Sequence, residues 1–351
     1  MVPKKNTCSD GPREESVPEE LTLRRAGSED ACKIAALFQL VYRNSSHPFQ
    51  TVDDVARFLA DARNFQIVAE LDGRIISSVA MTYYAWNDSY ELGRAITHPD
   101  HRRHGLAATL MQGVVDWVRE SALGQVFFGF PRVRRIVDLG SGLNPPMIVA
   151  GHDAGRNVAN GSRETHLIMY SVPQHARFIH VTPATSEVAL SMFVRKRVYE
   201  PLGLCLAPDD YPPDSLVGAV STKSIVFEDL PFEYDCASPS HALEVLGHRA
   251  RPERPVDVCR KLDRLLRTLG NVRHVTATVL ADKLDLIRKL CEFGFEIAAY
   301  LPAWYKQGEC RYDCVQLARR AYAEQPLAQG FEDILWSVQT DIRSILSPAH
   351  A

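Results

Sequence analysis

The 351-residue chain is 46% hydrophobic and 24% charged, the balance of a globular protein long enough for two domains that each bury a core. Its net charge of −3 excludes a general pull toward nucleic acid or anionic membrane, though not a local basic patch. No apolar run approaches the roughly 20 residues of a membrane helix, and residues 1–20 lack the apolar stretch of a signal peptide and read as a disordered leader.

In chain order, strands and helices alternate. LTLRRA (21–26) is expected as a strand and residues 28–44 as a helix capped by Ser28. TVDDVARFLADAR (51–63) is expected as a second helix capped by Thr51. FQIVAEL and IISSVAMTYYAW flank DGR, a tight-turn signal, and so predict adjacent antiparallel strands. YELGRAIT (90–97) predicts a strand running into a helix on which Leu106, Leu110, Val114, Trp117 and Val118 recur at three- and four-residue steps. QVFFGF (125–130) and RETHLIMYSV (163–172) read as strands, and residues 140–163 between them, rich in Gly and Asn, as a long functional loop. Residues 186–203 read as helical and 207–215 as a Pro/Asp-rich connector. From residue 225 the alternation resumes, with a helix at 256–270, a strand at 272–281, a helix ending at Gly294, and two strands before residue 320. The tail places Leu327, Phe331, Ile334, Leu335, Val338, Ile342 and Ile345 on one helical face, which predicts a helix docking on a domain, with a homodimer contact as the alternative.

Eight cysteines spread through the chain suit free thiols in a reducing cytoplasm. Cys310 and Cys314 could hold a metal only with two further ligands, which the sequence does not show, so no metal is expected.

One charge pattern asks for a ligand. His101, Arg102, Arg103 and His104 crowd the start of the helix beginning near Leu106, where the macrodipole is already positive and acidic residues belong. Cations become favourable there once a phosphate occupies the free N–H groups. The Walker-type and G-x-G-x-x-G phosphate loops are absent. What stands there is Arg102-Arg103-His104-Gly105-Leu106-Ala107 after Thr97-His98-Pro99. This resembles the R/Q-x-x-G-x-G/A motif of the Gcn5-related N-acetyltransferases (GNAT), with Ala107 in the second small position and Arg103 where many members carry a glycine.

The resemblance implies an α/β (α+β) fold with a mixed, mostly antiparallel sheet flanked by helices, over residues 21–172. It implies that acetyl-CoA, or another acyl-CoA, is held by Ile96, Thr97, Arg102, Arg103, His104, Gly105, Leu106, Ala107 and Ala108. LIRKLCEFGFEIAAYLP resembles the helix-to-strand step that closes such domains, without a second CoA motif, so residues 225–320 are expected to form a degenerate GNAT-like domain. Residues 173–224 would then connect the two, and 321–351 would carry the C-terminal helix.

An amine must lose a proton before it attacks a thioester, so a base is required, and the developing oxyanion needs a donor such as a backbone N–H beside the splayed strand. Glu91 is the candidate base, near the position where GNAT enzymes often carry one, with pairing to Arg94 as the alternative reading. Asp88, Glu164 and His166 compete with it, and Tyr170 and Tyr84 are candidates to protonate the leaving thiolate. The implied function is a cytoplasmic N-acyltransferase acting on a small-molecule amine. A carrier-protein or aminoacyl-tRNA donor, using basic residues at 130–135, 248–254 and 260–268, is one alternative, and a non-catalytic CoA- or metabolite-binding regulator is another.

Overall fold

The structure is a computed structural model that describes residues 21–42, 48–121, 125–159, 162–172, 178–183, 193–205, 207, 210–213, 216–217, 225–226, 232–237, 242–248, 254–320 and 330–346. The leader, Leu327, residues 186–192, residues 208–209 and 214–215 of the connector, and residues 249–253 of the second basic stretch lie outside the described residues.

The first strands are β1 (Leu21–Arg25), β2 (Phe65–Leu71), β3 (Arg74–Tyr84) and β4 (Ser89–Thr97). Between β2 and β3, Asp72 and Gly73 both take positive φ, 49° and 74°, the backbone a two-residue hairpin loop requires. Before them lie α1 (Ala31–Val41) and α2 (Val52–Ala60). The Thr51 side chain caps α2 through the Asp54 N–H, as the sequence predicts. Ser28 does not cap α1. It opens a 3-10 turn, Ser28–Asp30, where the Asp30 carboxylate accepts from the Gly27 N–H at 2.9 Å and pairs with Arg24. An acid that anchors both a turn and an arginine outcompetes the lone hydroxyl.

The strand β4 feeds α3 (Leu106–Glu120), which returns to β5 (Val126–Gly129) parallel to β4. After α4 (Arg134–Ser141) come β6 (Ile148–Ala159) and β7 (Ser162–Ser171). The expected long loop at 140–163 is thus mostly a strand. It pairs with β7 on one side and, at Gly151, with Ala299 on the other. A Cβ on Gly151 would stand 2.2 Å from the Ala298 carbonyl oxygen. The glycine that made the segment read as a loop is what lets two strands close.

Further on are β8 (Ile179–Val181), a π-helical turn (Val194–Tyr199) running into α5 (Glu200–Leu202), β9 (Ile225–Val226), β10 (Phe232–Ala237), β11 (Ala242–His248), α6 (Pro255–Leu269), β12 (His274–Leu280), α7 (Leu284–Glu292), β13 (Glu296–Gln307), β14 (Cys310–Arg320) and α8 (Glu332–Arg343). The strands form one sheet in the order β1-β2-β3-β4-β5-β7-β6-β13-β14-β12-β11-β10-β9, with β8 on the side of β14. Read outward from the β6–β13 seam, the first half runs β6, β7, β5, β4, β3 and the second β13, β14, β12, β11, β10. In each half the third and fourth strands are the parallel pair, joined through a helix, α3 or α6. Parallel neighbours need such a crossover.

Helix α3 buries Leu106, Leu110, Val114 and Val118 on one face of the sheet with Tyr90, Leu92 and Phe127. Helices α1 and α2 cover the opposite face over Val68, Ala80 and Ile96. A third core crosses the seam and joins Phe128, Ile168 and Tyr170 to Val275, Tyr300 and Val315. The tail helix α8 docks within the chain as expected, with Val338 and Ile342 in that seam core and the preceding Phe331 in the α3 core. No described helix is long and apolar enough to cross a membrane.

Candidate active site

The site is set by how β4 behaves along its length. Its ladder to β5 covers only Ser89–Glu91 against Val126–Phe128. Beyond Glu91 the two strands part. Gly129 marks the last close approach, where a Cβ would meet the Leu92 carbonyl oxygen at 2.8 Å. On its other edge β4 carries a bulge, because Ser78 faces Ile96 while Ala80 faces Gly93, so Arg94 and Ala95 share the place of one residue. Arg94 sits at φ 51°, and its extra backbone leaves the β3 ladder. An N–H freed at such a bulge can serve a developing oxyanion.

The far end of β4 delivers the chain to the basic helix start. Ile96 is buried under α1 and α2, and the Thr97 hydroxyl lies 2.9 Å from that of Ser77. Arg102 donates to the Thr97 carbonyl at 3.3 Å. Arg103 takes φ 72° and Gly105 φ 76°. Two left-handed residues two apart turn the backbone, and Arg103 adopts that shape although a side chain disfavours it. Gly105 is the N-cap of α3, with no side-chain cap and no acid in the first turn. Helix α2, by contrast, carries Asp53 and Asp54 in its first turn, and α6 carries Asp257. The first-turn N–H groups of α3 have no intrahelical acceptor. Arg102, Arg103, His104 and Gly105 are exposed around them, Leu106 anchors the helix in the core, and Ala107 and Ala108 are half-buried. A Cβ on Gly105 would meet nothing within 4 Å, so the front of the turn is open.

Glu91 stands at the point of parting. Its Oε2 accepts from the Tyr84 hydroxyl at 2.6 Å, and its Oε1 lies 3.4 Å from where a Cβ on Gly93 would be. The carboxylate therefore leans along β4 toward the bulge. Arg94 does not pair with it. Its guanidinium meets the Thr82 hydroxyl and stacks over Phe49 and Phe58, 4.7 and 4.9 Å from the ring centroids. Aromatic faces and a hydroxyl on the α1–α2 side satisfy this cation.

Of the competing groups, both carboxylates are engaged elsewhere, and buried His166 stands beside one of them. Asp88 accepts from Tyr83 at 2.9 Å and Gln125 at 3.0 Å and pairs with Lys306 of the second half. Burial pushes its pKa up, but these three partners outweigh that and hold it below the ordinary carboxylate value. Glu164 binds Arg132 at 2.9 Å and lies 3.8 Å from His166, and both neighbours hold its carboxyl down. Tyr170 is fully buried, donates to the Pro302 carbonyl at 2.6 Å, and has its pKa raised well above the usual by desolvation. The Tyr84 proton is directed at Glu91. Cys310 is half-buried and Cys314 buried, with the Cys314 thiol pushed well up by desolvation. The described residues hold no cluster of His, Cys, Asp and Glu suited to a metal.

Two features of this site escape a reading by sequence alone. The Tyr84–Glu91 bond joins residues seven apart across the β3–β4 turn. Trp304, of the second half, lies with its ring centroid 4.9 Å from that of Phe128, the register partner of Glu91. The first could have been found by counting back from the turn; the second had no local signal.

Comparison with known proteins agrees with the resemblance. Residues 34–130 match the family described as Acetyltransferase (GNAT) family. No curated protein matches the chain. Among solved structures, yncA from Salmonella typhimurium, solved with its cofactor acetyl-CoA, is 16% identical, covering 44% of this chain and 94% of its own at a TM-score of 0.39. The ribosomal-protein-S5-alanine acetyltransferase from Vibrio fischeri is 19% identical, covering 45% and 96% at 0.37. A chimera of the spermidine N-acetyltransferase SpeG from Vibrio cholerae is 22% identical, covering 43% and 95% at 0.37.

Proposed function

We propose that this chain, which carries a GNAT acetyltransferase domain matched over residues 34–130, transfers the acetyl group of acetyl-CoA to the amine of a small molecule. One observation carries the reading. A helix start with open N–H groups, no acid and two flanking arginines lies at the end of the strand that parts from its neighbour beside a carboxylate.

The residues fit the donor. The first-turn amides of α3 with Arg102, Arg103 and His104 would hold its pyrophosphate, where helix dipole and side-chain charge act together. Thr97 and the strand leading to it would flank the chain that carries the thioester. The donor would supply an activated acetyl carbonyl, so that a C–N bond forms as the C–S bond breaks, with CoA leaving as a thiolate that takes up the second proton lost by the nitrogen. Glu91 receives the proton the ammonium must lose, and Tyr84 fixes the orientation of that carboxylate. An N–H at the Arg94–Ala95 bulge steadies the carbonyl oxygen.

We read the second half as a degenerate GNAT-like domain. Two features support this: the mirrored strand order and the state of its parallel pair. The β11–β12 ladder covers Ala242–Val245 against His274–Ala277. Past it, the Val217 N–H donates to the Thr278 carbonyl at 2.9 Å, and Leu216 bridges to Val279. The chain's own segment fills the place where, in the first half, the strands open. Among the described basic residues, Arg134 pairs with Asp138 and Asp333, Arg254 and Arg260 with Asp257, and Arg267 with Asp263, which weakens the case for an RNA donor.

The test is titration calorimetry of acetyl-CoA into the purified protein and into the Arg102→Ala, Gly105→Asp variant. Binding by the first and none by the second supports the cradle, because the new carboxylate faces the pyrophosphate. Equal binding by both would overturn it.

A further inference from the structure

The second half contributes an unusual piece of backbone to the first. The β13–β14 ladder breaks between Leu301 and Tyr305, and inside the break Ala303 takes φ 52°, a conformation disfavoured for any residue with a Cβ. Three buried groups hold it. The Asp313 carboxylate accepts from the Ala303 N–H at 2.8 Å, Arg311 donates to the Ala303 carbonyl at 3.1 Å, and Tyr170 donates to the Pro302 carbonyl at 2.6 Å. Arg311 is 1% exposed and Asp313 0%. Asp313 also accepts from Tyr199 and Tyr300, and Arg311 also donates to the Asp88 carbonyl, so the strained alanine is tied into a buried polar network that fixes the next residue; local strain of this kind clusters at functional sites.

That residue is Trp304. Its indole is turned across the seam, 4.9 Å from Phe128, 5.8 Å from Trp86 and 6.0 Å from Tyr170, centroid to centroid. Phe128 also meets Phe130 at 5.5 Å and Tyr84 at 5.6 Å. Tyr84, Trp86, Phe130 and Trp304 all keep part of their surface in solvent. Single exposed aromatics need no explanation, but a contiguous set on a few polar anchors marks a binding surface. This set begins at the Tyr84–Glu91 hydrogen bond.

We propose that Trp304 completes an acceptor subsite on this aromatic wall, and that the acceptor class is an arylalkyl amine: a primary amine on a short chain carried by a flat ring. The proposal rests on the donor reading above for what happens to the amine, but not for its binding. A flat ring finds edge-on and stacked partners in Trp86, Trp304, Phe128 and Phe130. Its ammonium finds Glu91 together with the ring faces. A polyamine would need further carboxylates along the wall. The nearest other carboxylates are already engaged, Asp88 by Lys306, Tyr83 and Gln125 and Glu164 by Arg132.

The probes are phenethylamine, ethylamine and spermidine, titrated calorimetrically into the full chain without acetyl-CoA, then compared as acceptors by thiol release with acetyl-CoA present. The wild type is expected to bind phenethylamine at least tenfold more tightly than either comparator. Trp304→Leu, which keeps bulk but removes the ring, should erase that preference, and Trp304→Phe should restore most of it. Acetyl-CoA affinity should stay within twofold in both variants, which also reports that they are folded. No ring preference in the wild type, or an intact preference in folded Trp304→Leu, would overturn the proposal and leave the wall as seam packing. Ring-selective amine binding without acetyl-CoA binding would sink the donor reading alone, and acetyl-CoA binding without ring preference would sink this one alone.

Discussion

In the proposed reaction Glu91 and Gly105 have separable jobs, one in proton transfer and one in backbone shape, and substitution should separate them. Glu91→Gln keeps the Tyr84 contact but cannot take a proton. General-base removal typically lowers turnover about 10²–10⁴-fold, so kcat should fall by that order with acetyl-CoA affinity unchanged. The rise of kcat/KM with pH that reports the base should disappear. Matching pH profiles for wild type and variant would assign the proton to another group. Gly105→Ala acts on the other link. At φ 76° a Cβ costs roughly 1–2 kcal/mol. The space before it is open, so the cost is conformational rather than steric. Thermal unfolding should show that loss together with weaker acetyl-CoA binding, and an unchanged midpoint would mean that the turn is not held in this shape.

At the scale of elements, what the sequence shows and what it hides divide by whether the signal is local. The Asp72–Gly73 hairpin, the Thr51 cap and the apolar stripe of α3 are each written within a few residues, and each stands where expected. The basic residues around Gly105 were legible for the same reason. Strand β6 was not, because its glycine serves a neighbour far along the chain. Nor was the inward burial of Arg311 and Asp313, which alternate in sequence as edge charges do but are enclosed by the second half. The seam position of β6 makes a further prediction. His152 is buried there, and desolvation lowers its pKa to about 4, with Arg320 and Arg343 acting in the same direction and Asp153 and Glu296 against. Its folded pKa is thus below its unfolded value of about 6.5, so the native state resists a proton that the unfolded chain accepts. Stability should fall as pH drops through the window from about 6.5 to about 4, by about 2 kcal/mol at pH 5. The depressed carboxyls of Asp30, Asp88 and Glu164 lose their contribution only lower down, as pH falls through their folded values. Urea unfolding at pH 7 and pH 5 should show the loss in wild type and a smaller one in His152→Gln; equal losses would place the proton elsewhere.

At the scale of the whole molecule, two halves with mirrored strand order share one sheet and one seam core, yet only the first keeps its parallel strands open. In the second, the backbone of Leu216 and Val217 pairs with Thr278 and Val279. A hydrogen-bonded segment there is not cheaply displaced, since its partners would be left unsatisfied. The halves should therefore differ in what they bind: one acetyl-CoA per chain, not two, in calorimetric titration of the wild type. Arg102→Ala, Gly105→Asp should lower that stoichiometry to none and not expose a weaker second site. A stoichiometry of two would mean that the segment moves aside and that the second half is a working copy of the first. One, falling to none, would mean that the first half alone carries the donor site.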